Sequence, residues 1–162
     1  MPRSVTALVA LVSVLALSAP ASAQNSRPDF SGTWTLDATK SQAPMLPQSA
    51  QLVVSQSDKL LTIEHTASNG AGTQTNKLSY NIDGSPSKNS TSPPGGQPID
   101  FNSTTEWSGR TLVITTTADF SGGFKQVERW TLSADGKQLT VLGDIAVSGQ
   151  TATAKMLYNK KS

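Results

Sequence analysis

The chain has 162 residues, with 13 Lys and Arg against 11 Asp and Glu, one histidine and no cysteine. A net charge of +2 excludes a nucleic-acid binder held by bulk electrostatics. The missing cysteines exclude disulfides and thiolate metal sites, so core and sheet alone must hold the fold.

Residues 1–23 read as a cleaved secretory signal. Arg3 supplies the positive end, an apolar run follows from Ala7 to Leu17, and Ala21-Ser22-Ala23 puts small residues before a cut at Gln24. The run is shorter than the roughly 20 residues a membrane-spanning helix needs. The expectation is an exported bacterial protein, periplasmic or extracellular, with no integral membrane segment after cleavage. Its mature part, residues 24–162, is long enough for one domain and not for two.

From Gly32 onward the apolar period is two. It predicts strands near 32–37, 51–56, 59–66, 73–82, 100–107, 110–118, 124–132, 138–145 and 150–158. Ser57-Asp58, Asn69-Gly70, Ser108-Gly109, Asp135-Gly136 and Ser148-Gly149 separate them as tight turns. Two stretches break the rhythm. Residues 40–49 carry Pro44 and Pro47 and read as a loop or irregular lid. Residues 84–98 are rich in Pro, Gly and Ser and read as a mobile loop, with room for a tenth short edge strand near 87–91. Strands in up-and-down order with mostly short connections predict an all-β fold, a single antiparallel barrel of about eight to ten strands. An open Greek-key sandwich is the alternative. The strands lack the lipid-facing apolar band of an outer-membrane barrel.

Three blocks extend this reading. Phe30-Ser31-Gly32-Thr33-Trp34 opens the first strand and is followed by Lys40-Ser41. Trp107-Ser-Gly-Arg-Thr-Leu-Val-Ile114 and Arg129-Trp-Thr-Leu-Ser-Ala-Asp-Gly-Lys-Gln-Leu-Thr-Val141 come later. Together they resemble small exported bacterial lipocalin-like proteins, whose fold is the calycin-type β-barrel. The resemblance implies a structural role for Phe30, Gly32 and Trp34, with the Trp plugging one barrel end. It also implies a late cation stacked on Trp34, for which Arg129 and Lys155 are both candidates. It does not specify a function, because such barrels serve many.

Chemistry-bearing residues are few. His65 shares a strand face with Leu61 and Ile63, so its imidazole is expected to point inward. A haem ligand is one use for a single inward histidine, but no second ligand or attachment spacing accompanies it, and no cofactor or metal is predicted. No Gly-x-Ser-x-Gly elbow is present, and Glu106 with Glu128 is the sole conceivable carboxylate pair. An enzyme would have to use His65 and Glu128, and it ranks behind two non-enzymatic readings. The first is a barrel that binds a small apolar or amphipathic ligand inside, with His65, Tyr80, Trp107, Glu128 and Trp130 as its candidate wall. These residues alternate in phase with apolar neighbours, mixing polar and apolar groups on one face. The second is an envelope-associated interaction or structural module with a filled core and a protein partner of unknown kind.

Overall fold

A computed structural model describes residues 26–92, 96–120 and 122–162. The reading of residues 1–23 as a signal lies outside the described residues. Ten strands follow in order: β1 (Gly32–Leu36), β2 (Ser49–Gln56), β3 (Leu60–Asn69), β4 (Gly72–Asn81), β5 (Ser87–Thr91), β6 (Ile99–Ser108), β7 (Thr111–Ala118), β8 (Phe124–Leu132), β9 (Gln138–Val147) and β10 (Gln150–Lys160). No helix occurs among the described residues.

Each strand pairs antiparallel with its sequence neighbour, except that β4 and β5 form the two sheet edges and β1 pairs with β10. This is an up-and-down meander rolled into a nearly closed barrel, not a Greek-key sandwich. Short turns make the order possible. At Ser148-Gly149 both residues have positive φ, 50° and 78°, the backbone twist that two-residue hairpins require.

The β4–β5 seam has no backbone ladder, and side chains close it instead. Asn89 accepts from Ser79 N at 2.7 Å and donates to Ser79 O at 3.1 Å. Ser87 Oγ accepts from Asn81 N, also at 2.7 Å. The edges thus satisfy one another and leave less unpaired backbone to template aggregation. β5 lies inside the stretch read as a Pro-rich loop and is the short edge strand that the stretch allows, while residues 93–95 lie outside the described residues. The 40–49 loop is likewise shorter than predicted. β2 starts at Ser49, and Gln42 forms a bridge to Lys155 that ties the loop to β10.

One end of the barrel is plugged from the N-terminal side. Phe30 is fully buried, stacked on Trp107 at 6.1 Å and edge-on to Trp130 at 5.8 Å. Its N–H donates to Gln56 Oε1, and Gln56 Nε2 donates in turn to Pro28 O. Trp34 is also fully buried and donates its indole N–H to Phe30 O at 2.9 Å. The cation over Trp34 is neither Arg129 nor Lys155 but Lys160, whose Nζ lies 5.1 Å from the ring centroid. Arg129 is outside the barrel, paired with Asp144 at 2.6 Å. Lys160 sits two residues past the predicted end of the last strand and is in register with Trp34. Gly32 makes room for it, because a Cβ there would come within 2.7 Å of Lys160 Cε and φ is +137°.

Trp34→Ala should lower stability by about 3–5 kcal/mol through lost burial and the cavity left behind. Gly32→Ala should cost about 1–3 kcal/mol through backbone strain and the displaced Lys160 stem. Urea midpoints at constant m-value check both. An unchanged midpoint for either variant contradicts the plug geometry.

Candidate functional site

Above the plug the interior is hollow. A cavity of about 390 Å³ runs from Trp130 and Val141 near the floor to Phe101, Phe120 and Phe124 at the other end. Those three phenylalanines form one cluster, Phe120 stacked on Phe124 at 5.5 Å and both edge-on to Phe101. The wall also carries the titratable groups His65, Tyr80, Glu128 and Tyr158 with Gln126 beside them, and neutral polar side chains such as Asn89 and Thr91 reach the aromatic end.

β8 sets the depth of these groups. Phe124, Gln126, Glu128 and Trp130 alternate inward at about 6.6 Å per step along the strand, so Glu128 lies about 13 Å below the aromatic end. Gln126 Nε2 donates to Glu128 Oε1 at 2.8 Å and Trp130 Nε1 donates to Oε2 at 3.3 Å. Burial raises the Glu128 pKa, and the Trp130 hydrogen bond only partly opposes that. Burial, with the Glu128 charge second, also raises Tyr80 and Tyr158 well above the ordinary phenol range.

His65 faces the cavity across the β2–β3 pair, opposite Leu52. Its Nε2 is buried without a hydrogen-bond partner, and desolvation lowers its pKa. The imidazole is therefore neutral at neutral pH, with one polar atom available to a guest.

Of the five residues singled out in the sequence, the structure brings His65, Tyr80, Glu128 and Trp130 onto one cavity wall. Trp107 is corrected. Its inward phase with Phe101 is right, but it stands six residues along β6, about 20 Å away, at the plugged end. There its indole donates to Ile82 O, and Arg27 covers its outer side at 5.2 Å. Glu106 is exposed on the barrel exterior and forms no pair with Glu128. His65 and Glu128 make no hydrogen bond to each other: His65 Nε2 has no partner, and the carboxylate accepts from Gln126 and Trp130. Among the described residues, no group of three or more His, Asp or Glu is placed to hold a metal ion. The sequence reading missed Tyr158 and Met156, although alternation along β10 puts them on one face. It also missed Phe120, which sits in the β7–β8 turn where no periodicity applies.

The architecture has a solved counterpart. Zebrafish ileal bile acid-binding protein, in a crystal structure with cholic acid, matches with a TM-score of 0.54 and 14% sequence identity, over 82% of this chain and 98% of that one. The shared fold is an antiparallel up-and-down β-barrel. No family model and no curated protein matches the chain.

The opposite pKa directions give a pH test. The folded-state pKa of Glu128 lies above its unfolded value, so its ionisation costs stability as pH rises from about 4.5. The urea midpoint of Glu128→Gln relative to the parent should therefore be higher at pH 8 than at pH 4, on top of a pH-independent loss of one acceptor for Gln126 or Trp130. His65 acts in the opposite sense. The unfolded chain takes up its proton more readily, so stability is lost as pH falls through about 6.5. That loss is common to both proteins and cancels in the difference. A variant-minus-parent difference that does not rise between pH 4 and pH 8 would show that Glu128 is not an unfavourable buried charge.

Proposed function

We propose that the protein is a non-enzymatic binding barrel that takes a small apolar or amphipathic molecule into its interior. The observation that carries the proposal is the cavity of about 390 Å³, whose wall is largely apolar with polar groups set among the apolar ones. Ligand sites have this size and make-up, and a filled interaction module would lack the volume. The solved counterpart also supports the reading, because its structure holds cholic acid. The missing hydrogen bond between His65 and Glu128 weighs against a catalytic pair. We further propose that the chain is exported to a bacterial periplasm or beyond, on the signal-like pattern of residues 1–23.

Titration with decanol, an uncharged and optically silent probe, tests the binding reading. Among the three tryptophans Trp130 alone lines the cavity, so a saturable change in indole emission is expected from it. Trp130→Phe should remove most of the change, whereas Trp34→Phe and Trp107→Phe should retain it. If decanol gives no saturable signal and native mass spectrometry of the purified protein shows no bound small molecule, the reading fails.

A further inference from the structure

The charge distribution on the cavity wall narrows the ligand, provided that the interior is the binding site proposed above. Among the described residues that line it, no Lys or Arg is present and Glu128 is the one carboxylate. The other titratable groups on the wall are His65, Tyr80 and Tyr158. Both tyrosines are held protonated and the histidine is held neutral. We infer that the barrel selects an amphipathic molecule whose polar end is a protonated amine, seated against Glu128, and rejects one that ends in a carboxylate.

The hydrogen-bond inventory supports this assignment. Gln126 and Trp130 each occupy one oxygen of Glu128, and a carboxylate oxygen has acceptor capacity for a second donor. An ammonium group brings three donors and no acceptor. It would find the free positions on Glu128 and further oxygens on Tyr80 and Tyr158. A carboxylate brings acceptors only. It could take the hydroxyl donors of Tyr80 and Tyr158, but it would meet the Glu128 carboxyl with no guanidinium or ammonium to offset like charge. The carboxyl of Glu128, costly to ionise when the cavity holds no cation, becomes favourable to ionise beside one.

The depth of Glu128 sets the ligand's direction. With the amine at Glu128, about 13 Å of apolar chain reaches Phe101, Phe120 and Phe124. The polar end is thus buried and the apolar end lies toward the aromatic cluster. Burying an isolated ion pair is a weak source of affinity. The selectivity should therefore show chiefly as a difference between head groups on the same tail.

Three ligands of equal length, decylamine, decanol and decanoate, separate the possibilities when each is titrated near neutral pH below its micelle concentration. Decylamine should bind the parent protein roughly tenfold or more tightly than decanoate, with decanol between them. In Glu128→Gln, decylamine should weaken roughly tenfold, decanoate should gain, and decanol should hold within about twofold. This variant removes a buried charge and keeps the side-chain shape but offers one acceptor where Gln126 and Trp130 now use two, so its urea midpoint is measured alongside and the amine-to-alcohol ratio within the folded variant is the readout. Equal binding of decylamine and decanoate to the parent, or an amine-to-alcohol ratio unchanged by Glu128→Gln, overturns the inference while decanol binding leaves the barrel reading standing. Failure of all three ligands to bind overturns both.

Discussion

Phe30 is the residue on which the rest of the molecule depends. A barrel of ten strands with thin apolar content has two open ends, and water must be kept out of at least one. Phe30 does this by filling the space between Trp107 and Trp130, while its carbonyl takes the indole proton of Trp34 and its amide is held by Gln56. Four groups from β1, β2, β6 and β8 thus meet on a single residue lying outside any strand, two on its ring and two on its backbone. Without it, the Trp34 N–H and the Gln56 side chain would both lose buried partners. The plug turns an open tube into a cup.

Plug and cavity share one residue. Trp130 presents its ring to Phe30 below and its N–H to Glu128 above. The floor that stabilises the fold therefore also orients the most costly group in the interior. A carboxylate held by two neutral N–H donors is tolerable but not favourable. Burial opposes its ionisation, in a domain whose core is small. Such local conflict between burial and charge is the usual mark of a site shaped for something other than folding.

Much of the fold was legible from period two and turn chemistry, because both act over a few residues. β8 lies where alternation predicted it, and the Ser148-Gly149 turn has the backbone its composition suggested. What alternation cannot supply is height. It assigned Trp107 and Phe101 to one face correctly, yet six residues of strand separate Trp107 at the plug from Phe101 at the aromatic end. Register across distant strands is equally invisible. Lys160 reaches Trp34 because β1 closes onto β10, a pairing between residues more than a hundred positions apart. The seam was hidden for a related reason. Asn89 looks like an ordinary polar loop residue until β4 lies beside it and its amide replaces a rung of backbone ladder.

The solved counterpart shares the fold at 14% identity, so the positions that specify the barrel and those that specify its contents can be considered apart. Barrel formation asks for alternation, tight turns, a closed seam and a plugged end. Many residues satisfy the first two, and a handful such as Phe30, Gly32 and Trp34 satisfy the last. The contents depend on a few inward polar positions halfway along the strands. Changing one of these from neutral or cationic to anionic leaves every ladder bond intact while reversing the charge a guest must carry. Glu128 occupies such a position. The fold explains why there is a cup, and under the binding proposed above it is that single side chain, not the fold, that sets the charge of a guest.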